Sequence, residues 1–152
     1  ELIATAVSAA NDCFYCMDSH GAFATAVLER TDALDRAPLI DVLKLGSSDG
    51  LDAKMQALVE IARVVRRAPR ELTAGDVSAA LDAGASDADV PLAVLIAAAF
   101  SVYNRMVEGF RARTLPSPDA YRARAGEIAE HGYSDQRVTA VPAVPAAAAG
   151  SR

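Results

Sequence analysis

Two cysteines and a histidine are grouped near the start of the sequence, in the order Cys13-Phe14-Tyr15-Cys16 followed by His20. On a helix the spacing i, i+3 and i+7 places the three side chains on one face, and Cys16 and His20 are direct i, i+4 neighbours. A cysteine reacts as its thiolate, which a helix N-terminus and a nearby imidazolium both stabilise. The pattern therefore predicts a redox-active dithiol or a metal site.

A carboxylate stands at the start of the preceding predicted helix, at Glu1. The sequence Asn11-Asp12 interrupts the apolar pattern between the two helices. If the break folds these helices against each other, Glu1 returns to the face that carries His20. Carboxylate, imidazole and thiol would then form a relay that activates the thiol.

Two other interpretations of these side chains stay open. Cys13 and Cys16 would also pack as small buried hydrophobes with no chemistry. Zinc would accept both thiolates and the imidazole, with Glu1 as the fourth ligand, although structural zinc sites usually draw their ligands from loops. Attached c-type haem is excluded, because Met17 rather than histidine follows Cys16.

The order of Glu1, Cys13-x-x-Cys16 and His20 resembles the redox motif of the alkylhydroperoxidase (AhpD-like) members of the carboxymuconolactone decarboxylase family. The likeness extends over about residues 1 to 110. Further segments similar to the peroxidase-related branch of this family are Lys54-Met55-Gln56-Ala57-Leu58-Val59-Glu60, Phe100 and Asn104-Arg105.

The resemblance implies an all-helical, antioxidant peroxidase that reduces organic hydroperoxides with electrons from a dithiol donor, assembled as a trimer or hexamer. It implies that Cys16 is the peroxidatic thiol, Cys13 the resolving thiol, and His20 with Glu1 the proton relay. This chemistry requires no metal or organic cofactor. Tyr15 stands where the best-studied type of AhpD has a second histidine.

Two alternative functions belong to other classes. A redox-sensing or partner-binding oligomer of the same fold would use the disulfide to change shape. A decarboxylase-type member of the family is the other alternative, and the dithiol counts against it because that chemistry does not use one.

Composition favours packed helices and excludes several partners. Of the 152 residues 52% are apolar and only 5% aromatic, with no Trp, which favours helices over β-sandwiches or barrels. The net charge of −5 argues against nucleic-acid and anionic-membrane surfaces. No signal-peptide pattern precedes the first helix, so we expect a cytoplasmic protein.

Apolar periodicity and capping residues predict about six to seven helices in a single AhpD-like domain, residues 1–135, followed by an Ala/Pro-rich tail, residues 136–152. Asp12 is the predicted N-cap of the cysteine-bearing helix, and Thr73 with Asp76 the predicted capping box of a later one. The predicted helices run from Glu1 to Ala10, Cys13 to about Glu29, Pro38 to Leu45, Leu51 to Ala68, Thr73 to Gly84, Val90 to Phe110 and Pro118 to His131.

The run from Val90 to Tyr103 is almost wholly apolar but shorter than the roughly 20 residues of a membrane span. A helix that is apolar on every face is buried between elements or between subunits, so we expect a homo-oligomer and no membrane segment. Asn104-Arg105 is interpreted as a structural or interface pair rather than a catalytic one. The arginines interpreted as a solvated helix face are Arg63, Arg66, Arg67 and Arg70.

Overall fold

A computed structural model describes residues 1–113, 115 and 118–133, and over these residues it contains seven α-helices and no strand. The helices are α1 (Leu2–Ala10), α2 (Phe14–Arg30), α3 (Pro38–Lys44), α4 (Ala53–Arg67), α5 (Ala74–Asp82), α6 (Asp89–Gly109) and α7 (Arg122–His131). The predicted all-α fold is therefore confirmed. The predicted tail, residues 136–152, lies outside the described residues.

Local capping signals set several of these boundaries, and the capping box of Thr73 and Asp76 among them was predicted. The Asp52 carboxylate accepts a hydrogen bond from the Met55 amide and begins α4. Thr73 and Asp76 form a complete capping box at the start of α5. Gly46 follows the end of α3 with a φ of +85°, a conformation that a glycine adopts without strain. These helix ends follow from short-range hydrogen bonding alone.

The prediction that Asp12 caps α2 is wrong, because this residue ends α1 instead. Asp12 has a φ of +55°, its amide donates to Ala9 O, and the Cys13 amide donates to Ser8 O. This pair of bonds is the Schellman arrangement, in which one left-handed residue closes a helix and reverses the chain. Cys13 is therefore the N-cap of α2 rather than a residue of its first turn.

Helix α1 lies at the centre of the fold, where it packs against α2, α3, α4 and α6. Val7 is fully buried there with Val59 and Ala62 of α4 and Ala93 of α6. A smaller apolar cluster joins α7 to the other side of α2. The result is that α2 lies between the central helix and the C-terminal segment, and α6 flanks its first turns.

Helix α6 buries only a narrow stripe, namely Val90, Ala93, Ala97 and Asn104. The rest of the described chain therefore covers only part of this apolar helix, because small residues form the inner stripe and large ones point outward. The exposed large apolar residues of α6 are Leu92, Leu95, Val102, Tyr103 and Met106. Among the described residues, α6 is long and apolar enough to cross a membrane by length and composition, so the expectation that this segment is too short for a span is not met. One such helix is weak evidence for a membrane segment, because core helices of soluble proteins pass the same test.

Candidate active site

Glu1 and His20 are in direct contact across the α1–α2 turn. Nδ1 of His20 lies 2.7 Å from Oε2 of Glu1, and both side chains are largely buried. An ionised carboxylate only accepts hydrogen bonds, so Nδ1 is the donor and Nε2 is the ring nitrogen left for other partners. The chain reversal thus produces the carboxylate–imidazole contact that the sequence allowed, while the relay role of the pair stays a prediction.

Cys13 and Cys16 are both free thiols, but they differ in access. Cys13 is 1% exposed, and Cys16, 5% exposed, lines a cavity beside His20. Cys13 is not among the described residues that line this cavity. A molecule in the cavity therefore meets the sulfur of Cys16 first.

The ionisation of Cys13 is opposed by its surroundings. Burial raises the pKa of the Cys13 thiol, and hydrogen bonds from this thiol to the side chains of Cys16 and Glu108 raise it further. Cys13 is thus held as a neutral thiol near neutral pH, which makes it a poor nucleophile in the reduced protein.

Glu1 is held in its charged form. Burial raises its pKa, but the hydrogen bonds from His20 and Tyr133 are among the interactions that lower the pKa below 4.5. The carboxylate is therefore ionised at neutral pH and available to the His20 ring.

The cavity has a volume of about 800 Å³ and an apolar lining apart from the reactive side chains. Helix α6 forms one wall and the first turns of α1 and α2 form the other. The apolar and aromatic residues around it are Ala4, Tyr15, Ile96, Phe100, Tyr103, Met106, Val107, Phe110, Ala112 and Tyr133. A cavity of this size and lining fits an organic molecule with a bulky apolar body.

Aromatic rings fix the orientation of His20. Phe100 meets the imidazole edge to face at a centroid distance of 4.6 Å, and Phe23 does so at 5.1 Å. Tyr15, which also lines the cavity, packs edge to face on Tyr121. The imidazole is therefore held by Glu1 on one edge and by rings around it, which limits its rotation.

A buried hydrogen-bond network holds the turn that carries Cys13. Asn104 of α6, 1% exposed, donates to Ser8 Oγ at 3.0 Å and accepts from the Asn11 side chain at 2.9 Å. Ser8 in turn accepts the Cys13 amide through its carbonyl. Asn104 thus joins α6 to the α1–α2 turn, which agrees with the structural role predicted for it.

The interpretation of the arginine cluster as a solvated face is wrong for two of its members. Arg66 donates to the Ala10 carbonyl at 2.7 Å and to the Asn11 side chain at 3.0 Å, across from α4 to the end of α1. Arg63 donates to the Gly46 carbonyl at 2.8 Å. In both cases the planar guanidinium donates hydrogen bonds to backbone carbonyls at the end of a helix. Helical periodicity does not reveal such contacts, because they join segments that are distant in the sequence.

The sequence did not predict that two further residues belong to the site. Tyr133 donates its phenol to Oε1 of Glu1 at 2.8 Å, and Glu108 contacts the Cys13 thiol. The only local signal is Gly132, which ends α7 and precedes Tyr133.

Within the described part of the chain no group of three or more His, Cys, Asp or Glu side chains is arranged to hold a metal ion.

Comparison with known proteins agrees with this fold. Residues 1–47, which include both cysteines and the Glu1–His20 pair, match the carboxymuconolactone decarboxylase family. No curated protein matches the chain. The fold is similar to a crystal structure described as alkylhydroperoxidase AhpD core, an uncharacterized peroxidase-related protein from Ralstonia eutropha JMP134, with a TM-score of 0.67 and 25% sequence identity.

That structural match covers 82% of this chain and 62% of the Ralstonia protein, so the chain spans about six tenths of the length of that relative. The matched family segment contains both thiols, Glu1 and His20. By its N-terminal sequence the chain is similar to the carboxymuconolactone decarboxylase family, and by its helical fold it is similar to the AhpD core structure.

Proposed function

We propose that this protein is a thiol-dependent peroxidase that reduces organic hydroperoxides through a disulfide between Cys16 and Cys13. The observation that carries the proposal is the placement of a free dithiol, with Cys16 facing an apolar cavity beside the Glu1–His20 pair. The apolar lining favours hydroperoxides with a hydrocarbon body over hydrogen peroxide.

The first step forms a bond between the Cys16 sulfur and the terminal oxygen of the hydroperoxide. The Cys16 thiolate supplies the electron pair, the O–O bond breaks, and the alkoxide leaves as an alcohol after it takes a proton from His20. Cys16 is then a sulfenic acid. Glu1 stabilises the charge that His20 carries before it gives up this proton.

The second step forms the disulfide. The Cys13 sulfur attacks the Cys16 sulfur, and the hydroxyl of the sulfenic acid leaves as water with the proton that Cys13 releases. One hydroperoxide and two thiols thus give one alcohol, one water and one disulfide. An external dithiol donor then reduces the disulfide by thiol exchange.

Thiol counting on the full chain tests this proposal. The reduced protein should show about two reactive thiols per chain and lose both after one equivalent of cumene hydroperoxide, with a mass loss of about two hydrogens. Unchanged thiols after this treatment would contradict the proposal. One tightly bound zinc per chain by elemental analysis would favour a metal site instead.

Continuous turnover separates the peroxidase from a redox sensor of the same fold. A peroxidase consumes many equivalents of hydroperoxide per chain when a dithiol donor such as dithiothreitol is supplied. A sensor is oxidised once and then turns over slowly. A decarboxylase-type activity would survive replacement of both cysteines by serine.

The exposed apolar residues of α6 favour self-association, and we propose that a second copy of this chain packs on them. Leu95 is 63% exposed, and Phe110, which follows the helix, is 80% exposed. Monomers rarely expose an apolar surface of this extent. Tyr103, Met106 and Phe110 also line the cavity, so a neighbouring copy would cover one side of it.

Light scattering on the wild type and on Leu95→Glu tests the assembly. The wild type should be larger than the 15.8 kDa chain, in the range of a trimer or hexamer, and the charged variant should dissociate. A monodisperse wild-type monomer at micromolar concentration would contradict the assembly.

A further inference from the structure

Tyr133 reaches the reactive side chains from the far end of the described chain. Its phenol donates to Oε1 of Glu1 at 2.8 Å and lies 3.4 Å from Nδ1 of His20. Because Oε2 of Glu1 accepts from His20, each carboxylate oxygen has its own donor. The Tyr133 ring also stacks on the imidazole with an interplanar angle of 28°. The geometry points to Tyr133 as a positioning residue that fixes Glu1 in the orientation in which it holds His20.

Gly132 directs Tyr133 towards this contact. Its φ of 68° and ψ of −167° lie in a backbone region that is essentially restricted to glycine. The turn brings Tyr133 from the end of α7 against Glu1 and against His20 of α2. Tyr133 also packs edge to face on Phe23 of α2, at a centroid distance of 6.3 Å. A glycine turn and two ring contacts therefore place the phenol.

The phenol is a permanent donor at this position. Burial, the hydrogen bond to Glu1 and the charge of Glu1 together raise the pKa of Tyr133 well above its usual range. The same hydrogen bond is one of the interactions that lower the pKa of Glu1. The titratable and charged side chains around this contact are His20, Cys16, Tyr15, Tyr103 and Arg124.

The test removes the hydroxyl and keeps the ring. In Tyr133→Phe the Glu1 carboxyl, followed by ¹³C NMR and assigned with Glu1→Gln, should titrate at least about half a pH unit higher than in the wild type. Gly132→Ala should shift the titration in the same direction because it displaces the phenol. Tyr121→Phe is the matched control, since its hydroxyl accepts the Leu115 amide and does not contact Glu1.

A kinetic measurement accompanies the titration, because the role of Tyr133 in catalysis rests on the proposed peroxidase function. Stopped-flow oxidation of the reduced full chain by cumene hydroperoxide should slow about three- to tenfold at pH 7 in Tyr133→Phe and stay unchanged in Tyr121→Phe. An unshifted Glu1 titration, or a shifted titration with an unchanged rate, would overturn the inference. If the wild type does not react at all, the peroxidase proposal fails, and the NMR titration still decides whether Tyr133 controls Glu1.

Discussion

Cys13 and Cys16 are separated by a single turn of chain, yet the structure gives them opposite surroundings. Cys16 faces an apolar cavity beside His20, whereas Cys13 is enclosed at the α1–α2 turn and is held as a neutral thiol. Two thiols with the same access would compete for a substrate. In the proposed function this difference makes Cys16 the attacking thiol and Cys13 the resolving thiol.

Replacing each cysteine in turn gives the largest expected contrast. Cys16→Ser should slow the first reaction with cumene hydroperoxide by about a hundredfold or more, because the thiol that faces the cavity is gone. Cys13→Ser should react once and stop as a sulfenic acid that a dimedone-type probe captures. Stopped-flow kinetics and mass spectrometry measure both results. If the sulfenic acid instead accumulates at Cys13 in Cys16→Ser, the roles of the two thiols are reversed.

Removing the charge of Glu1 tests whether Glu1 and His20 promote the reaction of the Cys16 thiol. In the wild type the pKa of Glu1 is lowered from 4.5, so the carboxylate stays ionised as the pH falls to this value and is neutralised only below it. Glu1→Gln keeps the shape and loses the charge at every pH. The rate of hydroperoxide reaction at pH 7 should fall about tenfold, and its acidic limb should move to higher pH.

His20→Ala should be at least as damaging as Glu1→Gln, since Glu1 acts through the imidazole. The full chain with any natural upstream residues is the appropriate protein for both measurements. An unchanged rate–pH profile in Glu1→Gln would show that Glu1 is an ordinary carboxylate at a helix start.

Removing the Asn104 hydrogen bonds that hold the turn carrying Cys13 gives the smallest expected effect on the reaction. Asn104→Ala leaves Ser8 Oγ and the Asn11 amide without their buried partner, which should lower the free energy of unfolding by about 1–3 kcal/mol. Disulfide formation should slow only about two- to threefold, since Asn104 contacts neither thiol. Urea denaturation and quenched-flow thiol counting measure these effects.

Arg105→Ala is the matched control for Asn104→Ala, because the neighbouring Arg105 is exposed and bonds only within α6 among the contacts described. Its effect on stability should stay within about 0.5 kcal/mol. Equal losses in both variants would show that the network around Asn104 does not stabilise the turn.

Features set by short-range chemistry were predictable from the sequence. The Thr73–Asp76 capping box, the Asp52 cap and the glycine after α3 each need only a few neighbouring residues. The proximity of Glu1 and His20 followed from one break between two helices. Asp12 was misassigned because Asp is favoured both as an N-cap and as a left-handed residue that closes a helix.

Features that join distant segments were not predictable. Asn104 and Arg66 reach the end of α1 from α6 and α4, and Tyr133 reaches Glu1 at the start of α1 from beyond α7. Periodicity assigns a residue to the inner or outer face of its own helix, but it does not say which neighbour that face meets. The cavity is equally nonlocal, because its walls come from helices that are far apart in the sequence.

The Schellman turn at Asp12 has a consequence for how the protein folds. It joins α1 and α2 through contacts between residues that are close in sequence, which form faster than contacts between distant segments. Glu1, Cys13, Cys16 and His20 all lie within this helical hairpin, so we expect them to meet before α6 covers them. The dithiol of the newly made chain would then be more accessible to oxidants than that of the native protein. Rapid packing of α6 would protect the two thiols from oxidation.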